Sequence, residues 1–235
     1  MVEFVGEGST QRAVTTVPAG SVSHAVTLTT PVDPSTSFVV IAGTNASVST
    51  GYNEIEVTGE LTGCTTTCSQ VTFARQQPST SITVSWFVVT IPGVSVQSGK
   101  VTNWGTGSTS PALSPAVDPG RSFPMISINT SGTNKADGHK ANAVVRDPGG
   151  AFIDLTRDST ATAEVSWHVI EMPSVHVLSP NGGEVLFGGQ SETITWVGAN
   201  SAMANAVQLK LSRDSGATWS TENLVCTEGA RIVSD

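Results

Sequence analysis

One stretch of this chain occurs twice, and it constrains the fold more than any other feature. Val84-Ser85-Trp86-Phe87-Val88-Val89-Thr90-Ile91-Pro92 returns, position for position, as Val165-Ser166-Trp167-His168-Val169-Ile170-Glu171-Met172-Pro173. In an extended chain successive side chains point to opposite faces. Ile82, Val84, Trp86 and Val88 therefore share one face, and Ala163, Val165, Trp167 and Val169 share the matching face of the second copy. His168 faces the opposite way from Trp167. Each copy runs into a proline, which has no N–H to give to a sheet ladder and sits well where a strand stops. The stretch reads as the last core strand of a domain that is present twice.

The remaining residues support strands. Val and Thr are abundant, and both fit a pleated, half-buried surface. No segment keeps helical apolar spacing with caps over three turns. Charged residues make up 13% of the chain, too few for a simple disordered polymer. The expected fold is all-β, with two homologous antiparallel β-sandwiches in tandem followed by an incomplete immunoglobulin-like sandwich. The 235 residues divide at the two prolines into 1–92, 93–173 and 174–235.

Other landmarks recur in the same order. Val32-Asp33-Pro34-Ser35-Thr36-Ser37-Phe38 is answered by Val117-Asp118-Pro119-Gly120-Arg121-Ser122-Phe123, both with the chemistry of a turn into a strand. Gly43-Thr44-Asn45 reads as the end of the strand that starts at Phe38, and Gly132-Thr133-Asn134 as its answer. Ile55–Leu61 and Val71–Arg75 are matched by Ala143–Arg146 and Phe152–Arg157. The linkers Ile91-Pro92-Gly93 and Met172-Pro173-Ser174 are short and stiffened by proline. The expected arrangement is a rod of successive beads.

Of the three cysteines, Cys64 and Cys68 flank a short loop and are the candidate disulfide, with free thiols as the alternative. A zinc site would need a second such pair. In the other copy the loop is Asp147-Pro148-Gly149-Gly150, so it reads as structural punctuation. Cys226 is left over. His24, His139, His168 and His176 share no metal spacing, and no cofactor or metal is expected. No Ser-His-Asp set or carboxylate pair stands out, so the chain reads as a non-enzyme.

The net charge is −8 and the pI near 4.9, and the sequence shows no basic stripe of the kind that nucleic acid requires, so no nucleic-acid partner is expected. No apolar run approaches the roughly 20 residues of a membrane helix, so no membrane insertion is expected. Met1-Val2-Glu3-Phe4 leads straight into a polar stretch and gives no leader signal. Asn45-Ala46-Ser47 and Asn129-Thr130-Ser131 are glycosylation sequons.

The third segment carries a Ser-Pro-Asn-Gly-Gly-Glu opening from Ser179, an Ile194-Thr195-Trp196 strand and the hairpin Leu211-Ser212-Arg213-Asp214-Ser215-Gly216-Ala217-Thr218-Trp219. In these it resembles the KNH-type Ser-Thr-rich cell-surface modules of bacteria and fungi, which implies an immunoglobulin-like sandwich. The residues present fall short of a whole module, and the expectation is either a fragment of a longer polypeptide or a sandwich completed by a strand from elsewhere. The hairpin also fits the Asp-box pattern of sialidase-like propeller blades. One copy makes no propeller, and it reads as turn chemistry.

Val96-Gln97-Ser98-Gly99-Lys100-Val101 and Val165-Ser166-Trp167 resemble the first and last strands of H-type lectin domains. That resemblance implies six-stranded antiparallel sandwiches that form trimers and bind amino sugars. The family's Trp-x-Asp-Thr element is absent: Arg157-Asp158-Ser159-Thr160 and Arg75-Gln76-Gln77-Pro78 stand in its place. Sugar binding needs an exposed aromatic face with hydrogen-bonding neighbours. Trp104, in a Gly-rich stretch outside the alternating pattern, is the first candidate and Tyr52 the second. Trp86, Trp167 and Trp196 sit on regular strands and are expected in the core.

Two functions follow as expectations. One is an extracellular, cell-surface structural or assembly module, a stalk, surface-layer or filament subunit that associates with itself or with neighbouring subunits. The other is a glycan-binding adhesin.

Overall fold

The computed structural model describes residues 8–46, 54–132, 141–173, 175–180, 193–198 and 218. It is all-β and antiparallel. β1 (Ser9–Val17), β6 (Ile82–Thr90) and β3 (Ser37–Ala46) form one sheet in the order β1-β6-β3. β2 (Ser23–Val32), β5 (Cys68–Ala74) and β4 (Thr58–Cys64) form the facing sheet, β2-β5-β4. Between them lies a core of Val17, Leu28, Val39, Val71, Phe73, Ile82, Val84, Trp86 and Val88. The Phe73 and Trp86 rings meet across it at 6.1 Å.

The second sandwich has the same strand order. β7 (Ser95–Trp104), β12 (Ala163–Glu171) and β9 (Ser122–Thr130) make the sheet β7-β12-β9. β8 (Gly107–Thr109), β11 (Ile153–Arg157) and β10 (Ala141–Val145) make the sheet β10-β11-β8. Its core gathers Trp104, Leu113, Val117, Val145, Ile153, Leu155, Val165, Trp167 and Val169. Trp86 pairs with Ala13 and Ile41, and Trp167 with Gly99 and Ile126. The ring of Trp167 lies over Gly99, where a Cβ would collide with the indole.

The two Asp-Pro turns close in the same way. Asp33 Oδ1 accepts from the Ser35 N–H at 2.8 Å, and Asp118 Oδ1 from the Gly120 N–H at 2.9 Å. Gly43-Thr44-Asn45 does not end its strand, which continues to Ala46 past a register shift between Ile41 and Gly43. Thr133 and Asn134 of its expected answer, Gly132-Thr133-Asn134, lie outside the described residues. Asn45 pairs with Thr83 and Asn129 with Glu164, so the two sequon asparagines occupy the same place in the two ladders. The extra residue at the shift absorbs the difference in spacing.

The bead-and-rod expectation is corrected. Both sandwiches belong to one compact unit, Gly8–Glu171. The linker folds back on the first sandwich instead of projecting from it. The Ile91 N–H donates to the Thr36 carbonyl at 3.0 Å and the Val96 N–H to the Ser35 carbonyl at 2.7 Å. The residues after Glu171 fall in a separate unit. Its described part is the antiparallel pair β13 (Val175–Ser179) and β14 (Thr195–Gly198).

Candidate functional site

The most elaborate polar arrangement is the seam between the two sandwiches. An open sandwich leaves unpaired N–H and C=O groups along its edge strands, and these must be covered or will pair elsewhere. Here β3 and β4, both edges of the first sandwich, lie against the outer face of β7-β12-β9. Apart from Thr130 at the end of β9, the covering groups come from side chains that alternate away from the second core. The Val39 N–H donates to His168 Nε2 at 3.4 Å, and the Gly59 N–H to Ser127 Oγ at 3.1 Å. Asn129 Nδ2 donates to the Ala74 carbonyl at 2.9 Å. Ser166 Oγ donates to Glu60 Oε1 at 2.8 Å, and Thr130 Oγ1 to Glu56 Oε2 at 2.9 Å. Asn129, Ser166 and His168 are buried as a result. β12 is thus buried on both faces, apolar toward its own core and, through Ser166, His168 and the apolar Ile170, mixed toward the neighbouring sandwich.

Charge reinforces the seam. Lys100 Nζ lies 3.0 Å from Glu60 Oε1 and 3.2 Å from Glu164 Oε2. Burial would lower the Lys100 pKa, but the two carboxylates outweigh it and hold the amine above its ordinary value. His168 behaves oppositely. Desolvation pushes its pKa down to about 4, with Glu60 opposing, so the ring is neutral at neutral pH. Because Nε2 accepts from Val39, the ring proton sits on Nδ1 and is donated to Ser98 Oγ at 2.7 Å. A histidine in that tautomer takes no proton from Ser98. The Ser98–His168 pair therefore serves as a clasp and does not activate a nucleophile.

A cleft of about 200 Å³ opens beside the seam. Pro34, Leu61, Trp167 and the Cys64–Cys68 disulfide give it an apolar side, while Glu60, Lys100 and His168 give it a polar one. Its polar groups are already engaged with one another. Among the described residues no group of three His, Cys, Asp or Glu side chains is placed to hold a metal ion.

No family model, curated protein or solved structure matches this chain.

The sequence-derived sugar site needs a correction. Trp104 is only 7% exposed and belongs to the second core, with the Arg157 guanidinium 5.7 Å from its ring centre. Strict alternation from the inward Val101 would turn Trp104 outward. Instead three residues of β7 span what two residues of β12 span between Val165 and Ala163. Asn103 takes φ 53° in this bulge, and the phase reverses so that the indole turns in. Tyr52 lies outside the described residues. Asn129, the second sequon asparagine, is fully buried in the seam, whereas Asn45 is exposed.

The seam residues Glu60, Lys100, Ser127 and Ser166 carried no motif. One signal was available. The repeated strand has His168 where the first copy has Phe87, a polar ring on what should be an equivalent outer face.

Proposed function

We propose that this chain is an extracellular structural or assembly module in which β-sandwiches act as stackable blocks. One observation carries the reading: the outer face of one sandwich is built to cover the open edges of another. A chain-internal edge-to-face seam, with hydrogen bonds to strand-edge amides and a bridging lysine, is assembly chemistry rather than ligand chemistry. The Cys64–Cys68 disulfide supports an oxidising, extracellular setting. The low charge and Ser/Thr-rich strands suit a surface component that is held by sheet contacts. The glycan-binding alternative loses its leading residue, because a core Trp104 offers no open ring face to a sugar.

Light scattering on the purified chain, with negative-stain images of the same sample, tests the reading. Assembly into oligomers or filaments at micromolar concentration is the expected outcome. A monomer at all accessible concentrations would remove the assembly role.

A further inference from the structure

The seam uses one surface from each sandwich, and the two surfaces differ. The first sandwich contributes its β3/β4 edge, and the second contributes the outer face of β7-β12-β9. Because the strand orders match, each chain also owns the complementary pair: the β9/β10 edge of the second sandwich and the outer face of β1-β6-β3 of the first. The registers show what stands at the matching positions.

Lys100 lies opposite Ser166, and the residue opposite Ser85 is Val14. Glu60 lies opposite Thr72, three residues before Arg75, and Val144 lies opposite Asp154, three residues before Arg157. Thus the Glu60–Lys100 ion pair of the seam corresponds to Val144 and Val14. Val39 lies opposite Val88, and Pro124 lies opposite Val169. The amide that His168 accepts from is therefore replaced by Pro124, which has none, and His168 itself by Phe87. In these two pairs both members are absent together and apolar residues stand in their places, whereas Ser166 and Asn129 of the seam are matched by Ser85 and Asn45.

Exposure follows the same map. Val14 is 69% exposed, Val144 59% and Phe123 41%. Phe123 matches Phe38, which is buried in the seam with its ring 6.4 Å from that of His168. Of the five most exposed large apolar side chains among the described residues, these three all fall on the two unused surfaces. Scattered surface apolar residues need no explanation, but three at matched positions of a known contact do.

We infer that a second copy of this chain docks there, its β9/β10 edge on the outer β1-β6-β3 face of the first. Val144 would meet Val14, and Phe123 and Pro124 would meet Phe87. The contact is heterologous, so it propagates head to tail and ends in a closed ring or an open filament. The inference rests on the assembly reading above and specifies its interface.

Two variants of the full chain test it, Val14→Glu on the face and Val144→Glu on the edge. Both positions are exposed, so the monomer fold is expected to persist, and circular dichroism checks that. In light scattering, wild type is expected to assemble and each variant alone to stay monomeric. An equimolar mixture of the two is expected to give one-to-one heterodimers and nothing larger, because it retains one intact edge and one intact face. The double variant V14K/V144E recreates the internal ion pair and is expected to assemble in a salt-sensitive way. Variants that assemble as wild type does would overturn the interface while leaving the assembly reading in place. A wild-type chain that never assembles overturns both.

Discussion

Lowering the pH from 6.5 to 4 is expected to cost the folded unit about 3 kcal/mol through His168 alone. The folded state holds this ring neutral, with a pKa of about 4, because it is buried between the sandwiches. The unfolded chain returns it to about 6.5. Between those values the unfolded state binds the extra proton, so stability falls as pH falls. Above 6.5 the contribution of the neutral ring is complete, and below 4 the loss levels off. Protonation also places a donor against the Val39 N–H, which breaks the clasp to the strand edge. The groups that face the ring are Ser98, Glu60 and Lys100. Asp118 and Asp154 also have pKa values lowered, first by their hydrogen bonds to Arg121 and Arg146 respectively, and they add their own acid sensitivity. The informative quantity is therefore a difference between variants. Urea denaturation of wild type and His168→Gln at pH 7.5, 5.5 and 4 isolates it. Wild type is expected to lose about 3 kcal/mol more than the variant across this range. Equal acid limbs would assign the sensitivity to the carboxylates.

Replacing Arg157 with methionine is expected to cost about 4 kcal/mol and to lower Tm by roughly 10 °C. The side chain is 3% exposed, and Nη1 donates to the Trp104 and Ala161 carbonyls, each at 2.7 Å. Without it, two buried acceptors lose a charged donor, and each costs about 1–3 kcal/mol. The variant also loses the cation over the Trp104 ring. Arg157→Lys is expected to recover less than half, because an ammonium lacks the planar fork that joins two segments of chain. Arg75 closes the first sandwich in the same manner, donating to the Ser21 and Pro18 carbonyls at 2.9 and 2.6 Å. Thermal unfolding followed by circular dichroism measures the effect. A loss below about 1 kcal/mol would mean that water or a relaxed loop replaces the guanidinium.

Much of each sandwich was legible because its signals are local. The alternation around Trp86 and Trp167 is a period-two pattern that one strand displays by itself, and the structure places both rings in the cores. The Asp-Pro turns were readable because Asp33 and Asp118 bond to amides two residues on. Trp104 was misread because a single extra residue in β7 reverses the phase of everything beyond it, and Asn103 gives no warning of a positive φ. The seam was invisible for a different reason. Edge-to-face contact joins residues from six strands, such as Val39 with His168 and Glu60 with Lys100, and has no period along the chain. It leaves only isolated polar residues on an outer face: Ser127, Asn129, Ser166 and His168. Those read as solvated until the neighbouring sandwich is seen to cover them. The rod expectation failed on the same point, since Pro92 stiffens the linker without setting its direction.

The seam between the sandwiches is the claim on which the rest depends, and amide hydrogen exchange at Val39 and Gly59 tests it most directly. Both are edge-strand amides with no ladder partner on their outer side, and both are held only by side chains of the second sandwich, His168 and Ser127. With the seam formed, they are expected to exchange as slowly as interior amides of β6, through global unfolding. Exchange at the rate of open edge amides, with β6 still protected, would contradict the seam and return the two sandwiches to independent beads.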